Sequence, residues 1–296
     1  MQIEGMLVTL FLTLAPAILV VAYITYHNKR LIKVRKSPLN TNLLRSPGES
    51  IYEKIESTQY DIDFSLTFLF ILPLMAYIFY LKSNQSKFNS VTLLTLASIG
   101  IAYLSIKLVK QINARNKLTL GYEAELAVGQ ELNMLMRQGY YVFHDVNLDV
   151  TTNKFNVDHV VLGKSGVFAV ETKGRTKPVK GDAKVNANVK YDGTQLNFPN
   201  WVEAEPVEQA KRQANTLQKW LSSSVGEVVE VKPVLAIPGW FVDRVGKGDV
   251  DVINGKNSAG YFNGVKSQNL SDKLVSQIAH QLEQISRNVK PKALNR

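Results

Sequence analysis

Two acids and a lysine interrupt an otherwise apolar stretch, VDHVVLGKSGVFAVETKG, residues 157–174. They are Asp158, Glu171 and Lys173. Gly163-Lys164-Ser165-Gly166 is a turn signal between two β-rich runs, so the stretch reads as a hairpin. With Lys164 and Ser165 at its tip, Gly163 faces Gly166 and cross-strand partners carry numbers that sum to 329. Asp158 and Glu171 satisfy that sum. Directly opposed residues have Cβ atoms about 4.5–5.5 Å apart, and Lys173, two residues on, shares the face of Glu171. Two carboxylates so placed repel each other, and a divalent cation between them turns repulsion into attraction. Mg²⁺ takes one or two carboxylates and keeps several waters. It lowers the pKa of such a water and stabilises charge developing on a phosphate. Lys173 is suited to orienting that water or neutralising that charge. The three residues therefore fit hydrolysis of a phosphodiester. They fit equally a salt bridge in which Lys173 neutralises the acids, and spacing alone leaves both readings open.

The elements around the hairpin must bring these groups together. GYEAELAVGQELNMLMRQG, from Gly121, reads as an amphipathic helix closed by Gly139. Glu125 lies three residues before Val128 and seven before Leu132, on the apolar stripe, where a carboxylate needs a partner or a metal. YYVFHDVNL follows as a strand. His159 alternates onto the face opposite Asp158 and reads as core. After the hairpin comes a basic stretch with Arg175, Lys177, Lys180, Lys184 and Lys190. It suits phosphate contacts, or a solvated strand edge protected by lysines. Asp192-Gly193 marks a second hairpin. Phe198 and Trp201 are available either to stack on a base or to pack under a loop. A helix near Pro206 carries Val207, Ala210, Ala214, Leu217 and Leu221 at core spacing, with Gln209 and Gln213 beside that stripe. VKPVLAIPGWF reads as a buried strand, and SDKLVSQIAHQLEQIS as a closing helix capped by Ser271.

The first 106 residues have a different character. Gly5 to Tyr26, Phe64 to Leu81 and Phe88 to Ile106 are runs of 22, 18 and 19 residues without a charge. About 20 apolar residues span a bilayer, so the region is expected to be all-α with about three transmembrane helices. Pro16 and Pro73 are tolerated in spans. The start Met1-Gln2-Ile3-Glu4 has no basic side chain, unlike a cleaved signal. The loop after the first run begins HNKRLIKVRK, and Lys107, Lys110, Arg115 and Lys117 follow the third. The positive-inside rule then puts the N-terminus outside, and the long loop and everything after residue 107 in the cytoplasm. ESIYEKIES, in the second half of that loop, reads as a short interfacial helix. No ionisable residue lies within the three runs, which disfavours transport. The formal charge of +10 is uneven: residues 1–120 hold 13 basic and 6 acidic residues, residues 121–296 hold 22 and 19. Most of the excess is thus a topology signal and a lipid-headgroup contact rather than a nucleic-acid footprint. The absence of cysteine excludes disulfides, thiolate nucleophiles and Cys-based zinc ribbons.

Asp158 followed by Glu171-Thr172-Lys173 resembles the D…(D/E)-x-K core of the PD-(D/E)xK nuclease superfamily. GYEAEL, NVDHVVLGKSGVFAVETKG, EPVEQAKRQANTLQKWL and VKPVLAIPGWF stand in the order of the NERD, or nuclease-related, domain, so that residues 120–245 resemble that domain. The resemblance implies an α/β fold, a restriction-endonuclease-like mixed sheet flanked by helices, and Mg²⁺-dependent cleavage of nucleic acid, with Mn²⁺ as the alternative ion. It implies metal binding by Asp158, Glu171 and the Thr172 carbonyl, and catalytic roles for Lys173, Glu125 and Gln209. The chain is accordingly expected to hold a membrane region over 1–110, a nuclease-like domain over 120–245, and a C-terminal strand and closing helix over 246–296 packed on that domain. The expected protein is a multi-pass inner-membrane nuclease with a cytoplasmic catalytic domain. Its expected partners are nucleic acid, DNA foremost, membrane lipid and unidentified proteins. The competing expectation is a catalytically silent binding or scaffold module that keeps the nuclease-like fold.

Overall fold

The computed structural model describes residues 2–35, 37–82, 87–150, 153–179 and 187–293. The charge-free runs lie within three long helices, α1 (Gln2–Val34), α2 (Glu49–Lys82) and α3 (Lys87–Asn133). Among the described residues, Glu49–Tyr80 and Val91–Gln138 are long and apolar enough to cross a membrane. The first run, in α1, falls partly outside the residues whose side chains are described. Two expected boundaries are absent. Glu49 to Ser57 is the opening of α2 rather than a separate helix, because no Gly or Pro separates it from the apolar run that follows. The helix expected from Gly121 is the last part of α3. One interior glycine costs a helix only about 1 kcal/mol, too little to end it.

The chain forms two compact units. One comprises Met1–Leu43, Tyr60–Ile112 and Lys290–Arg296. Within it the Ser65 hydroxyl donates to Gln111 Oε1 at 2.9 Å, and large apolar side chains such as Phe70, Tyr77 and Ile99 point outward.

The other unit comprises Leu44–Gln59 and Asn113–Val289. Strands β1 (Tyr141–Val150), β2 (Asn153–Gly163) and β3 (Gly166–Thr172) form an antiparallel meander. β7 (Val231–Ala236) joins β3 in parallel, and β9 (Asp251–Ile253) joins β7 in parallel. The sheet order is β1-β2-β3-β7-β9. A second sheet, β6-β5-β4-β8, is built from β4 (Asn188–Tyr191), β5 (Leu196–Asn197), β6 (Val202–Glu203) and β8 (Phe241–Arg244). Helices α4 (Glu205–Val225) and α6 (Asp272–Ser286) pack Leu217, Leu221, Ile278 and Leu282 against Val160, Leu162, Val167 and Ala169. The end of α3 and the short α5 (Ser258–Gly264) pack Val128, Leu132 and Phe262 against Val161, Phe168 and Val170. Alternating residues of β2 and β3 thus feed two different cores. That is why the central strand β3 is buried at every residue and reads as a continuous apolar run. The domain is mixed α/β, with helices on both faces of the larger sheet.

Candidate functional site

The hairpin pairs His159 with Val170, Val160 with Ala169, Val161 with Phe168, Leu162 with Val167 and Gly163 with Gly166. Each pair sums to 329, as the turn residues dictate. Carried one residue further, the register sets Asp158 opposite Glu171. There the amide of Thr172 donates to Asp158 Oδ2 at 2.7 Å. Both acids are buried, at 6% and 1% exposure, and so is Glu125 at 5%, which comes from α3.

Each oxygen of the Glu171 carboxylate accepts one hydrogen bond. Lys173 Nζ donates to Oε1 at 2.5 Å, and Gln213 Nε2 donates to Oε2 at 2.5 Å. The salt bridge that spacing allowed is therefore present. It neutralises only one acid. Burial holds the Glu125 carboxyl at about 8, helped by the charges of Asp145 and then Glu171. Burial also drives Asp158 well above the usual carboxylate range, with Glu171 and Glu125 adding to the effect against the Thr172 amide and Lys173. Glu125 Oε2 is buried without a hydrogen-bond partner.

A fourth acid completes the cluster, and sequence reasoning passes over it. β1 pairs His144 with His159 and Val146 with Val157, so Asp145 stands opposite Asp158 at an interruption of the ladder. Asp145 adopts φ +48°, a left-handed conformation that Asp tolerates better than most residues. Its Oδ2 accepts from Arg45 Nε at 2.6 Å, from the Ser50 amide at 2.8 Å and from the Ser50 hydroxyl at 2.8 Å. Its Oδ1 accepts from Asn156 Nδ2 at 2.6 Å. Asp145, Asp158 and Glu171 thus form a row across three adjacent strands. The signal for Asp145 was a second register: Val150 pairs with Asn153, so partners in β1 and β2 sum to 303. No comparable signal pointed to Arg45 and Ser50, which lie about a hundred residues away in sequence.

The neighbouring histidines supply no charge. His144 Nδ1 meets His159 Nδ1 at 2.9 Å, and His144 Nε2 meets Asn133 Oδ1 at 3.0 Å. Burial lowers His144 to about 4 and His159 well below its ordinary value, so both are neutral at pH 7. Four buried acids are then matched by two ion-paired cations, Arg45 and Lys173. Among the described residues neither Glu125 nor Asp158 has a Lys or Arg in ion-pair contact. With all four acids ionised the cluster lacks two positive charges.

The remaining expected residues fall in different places. Gln213, not Gln209, reaches Glu171. Gln209 is half-buried one turn earlier, and no hydrogen bond joins it to the acids among the described residues. Four residues move a side chain about 6 Å along the helix axis, which carries Gln209 past the site. Thr172 is buried beside Asp158, with its hydroxyl unpartnered. Arg175 is committed to Glu203, donating from Nε at 2.9 Å and from a terminal nitrogen at 2.7 Å. Lys177 is exposed, its Nζ 5.7 Å from the centre of the Trp240 ring. Lys180 and Lys184 lie outside the described residues. Phe198 stacks on Trp201 at 4.4 Å, and both meet Trp240 edge-on. Of the two uses open to these rings, this is the packing one.

Among the described residues no three Asp, Glu, His or Cys side chains converge at metal-ligand spacing. Mg²⁺ needs only one or two carboxylates where a phosphate and waters complete its shell. Asp158 and Glu171 offer two. The oxygen-only donor set and the orphaned Glu125 oxygen fit a hard divalent cation.

No curated protein and no solved structure matches the chain. Residues 120–238, which carry Glu125, Asp158, Glu171, Lys173 and Gln213, match the family model described as NERD, the nuclease-related domain.

Proposed function

We propose that the chain is a membrane-anchored, Mg²⁺-dependent nuclease whose acidic site hydrolyses phosphodiester bonds of nucleic acid on the cytoplasmic side. The observation that carries this reading is the acid cluster: four carboxyl groups are buried together with two ion-paired cations, and burial holds the other two acids, Glu125 and Asp158, protonated. A stability-driven core gains nothing from such a cluster, because each buried carboxyl group left without a full set of partners costs free energy to desolvate. The match over residues 120–238 supports a nuclease-like, restriction-endonuclease-type architecture.

In this reading Asp158, Glu171 and the Thr172 carbonyl would hold the cation. When bound, it would supply a lowered pKa for a neighbouring water and charge stabilisation for the phosphate. Gln213 fixes the Glu171 carboxylate by its hydrogen bond to Oε2. Lys173, with its ammonium on Glu171 Oε1, is placed to orient the attacking water or to meet the charge that grows in the transition state. Glu125, protonated at neutral pH without a cation beside it, is the group able to give up or take a proton near pH 8. Lys177, with Lys180 and Lys184, is left to contact phosphates, since Arg175 is held by Glu203.

The location rests on connectivity. Leu44–Gln59 and Asn113–Val289 belong to one compact unit, so the chain must cross any membrane an even number of times between them. α2 and α3 provide two crossings. The basic residues flanking the long loop and following the third run then favour the cytoplasmic face.

A second reading, a silent nucleic-acid-binding or scaffold module, draws on one observation: Lys173 and Gln213 already occupy both oxygens of Glu171. The deciding experiment incubates the detergent-solubilised full chain with DNA and RNA, single- and double-stranded, at varied Mg²⁺ and Mn²⁺. Metal-dependent cleavage by wild type that is lost in Asp158→Asn supports the nuclease. Nucleic-acid binding without cleavage under every condition supports the silent module.

A further inference from the structure

One continuous hydrogen-bonded chain crosses the candidate site, and it begins outside the matched segment. Arg45 Nε donates to Asp145 Oδ2. Asp145 Oδ1 accepts from the Asn156 side chain. The Asn156 carbonyl accepts from Gln213 Nε2 at 2.9 Å. Gln213 Nε2 also reaches Glu171 Oε2, and Lys173 holds Glu171 Oε1. The chain therefore runs from the α1–α2 connection, through β1, β2 and α4, to the two groups proposed to act on the substrate.

Residues 45–50, RSPGES, are built to dock there. The Arg45 side chain is only 7% exposed, and its terminal nitrogens bond Ser50 Oγ at 2.8 Å and Asn288 Oδ1 at 3.0 Å. Pro47 lies against Gly129 of α3, so close that a Cβ at Gly129 would come within 2.6 Å of the proline ring. Gly48 has φ +71°. A Cβ there would lie 2.7 Å from the Tyr122 ring and 3.6 Å from Glu125 Oε2, the orphaned acid oxygen. The segment thus approaches the acidic cluster by backbone, and glycines on both partners permit it.

We propose that the α1–α2 connection is part of the candidate active site, and that Arg45 and Asp145 are positioning residues for Glu171 and Lys173. The inference rests on the reading of Glu171 and Lys173 as the acting groups. Arg45 does two things. It compensates Asp145, which otherwise leaves an unpaired charge beside Glu125 and Asp158. It also holds Asp145 at the interrupted β1–β2 pair, which fixes Asn156 and, through it, Gln213.

The test uses the full chain in detergent, with Asp145→Asn as the main variant and Ser50→Ala as a milder one that removes a single donor to Asp145. The first readout is tryptic cleavage after Arg45, followed by mass spectrometry. The second is Mg²⁺ affinity by calorimetry, and the third is kcat and KM on any substrate that wild type cleaves. In Asp145→Asn, cleavage after Arg45 should accelerate at least tenfold, Mg²⁺ affinity should fall about tenfold, and kcat should fall with little change in KM. Ser50→Ala should shift each in the same direction by a smaller factor, and it decides the matter if Asp145→Asn does not fold. Faster cutting after Arg45 with wild-type Mg²⁺ affinity would reduce the clamp to a structural contact and overturn the inference. Unchanged protection of Arg45 in both variants would overturn it as well. If wild type binds Mg²⁺ but cleaves nothing, the nuclease reading fails, and the metal and protease readouts still decide the positioning role. If wild type shows no Mg²⁺ response, the inference falls with the site.

Discussion

Binding of Mg²⁺ should expel protons. Glu125 sits at about 8 and Asp158 well above the ordinary carboxylate range, chiefly through burial. At pH 7.0 a group with pKa 8 is about nine-tenths protonated. A divalent cation beside these carboxylates favours their ionised forms, so binding at pH 7.0 should release roughly one to two protons. The sign for stability follows from the same shift. Folded Glu125 holds its proton more tightly than unfolded Glu125, so its contribution to the stability of the metal-free domain is fully present below the unfolded value of 4.5 and is lost as pH rises towards 8. The loss from Glu125 alone is about 5 kcal/mol at most, and Mg²⁺ should restore part of it above neutrality. The assay is titration of full-length protein with magnesium chloride at pH 7.0 in PIPES and in Tris, whose ionisation enthalpies differ. Observed heats should differ by the buffer difference times the number of protons released, and affinity should rise about tenfold per pH unit per proton between pH 6 and 7.5. Saturable binding with identical heats in the two buffers would mean that no proton is released, and the reading of Glu125 and Asp158 as protonated before the metal binds would fail.

Three further outcomes are expected. Lys173→Ala should lower kcat by at least a hundredfold, the order of one transition-state donor, while Mg²⁺ and nucleic-acid binding persist; a variant that melts early yet cleaves normally while folded would reduce Lys173 to a salt-bridge partner. Gln213→Met should cost about 1–3 kcal/mol by stripping Glu171 Oε2 and the Asn156 carbonyl of a donor, whereas Gln209→Ala should stay within about 0.5 kcal/mol; urea melts of the two variants give the comparison, and equal effects would refute the assignment to Gln213. The chain has no cysteine, so Asn40→Cys and Lys290→Cys can be labelled singly in intact cells. Both should react with an impermeant maleimide only after permeabilisation, and labelling of either from outside would overturn the orientation.

Local physics made part of this protein legible in its sequence. The Gly-Lys-Ser-Gly turn sets the hairpin register, because side-chain alternation has period two and a one-residue slip inverts both faces. Asp158 and Glu171 therefore had to oppose each other. The apolar stripes of α3, α4 and α6, the αL glycine at 139 and the Ser271 cap are also local, and the structure has them where the periodicity required. Tertiary structure decided the rest. Gln209 and Gln213 both flank the same stripe, and only the packing of α4 on β2 and β3 determines which of them meets Glu171. Phe198 and Trp201 suit a base as well as each other until Trp240 arrives from 39 residues further on. Arg45 reads as a loop residue between breakers, because nothing within its own neighbourhood needs a cation. Its partner is a carboxylate a hundred residues away, buried at an interrupted strand pair. Periodicity and turn chemistry act over a few residues, whereas the compensation of a buried charge is settled by whatever the fold brings within a few ångströms.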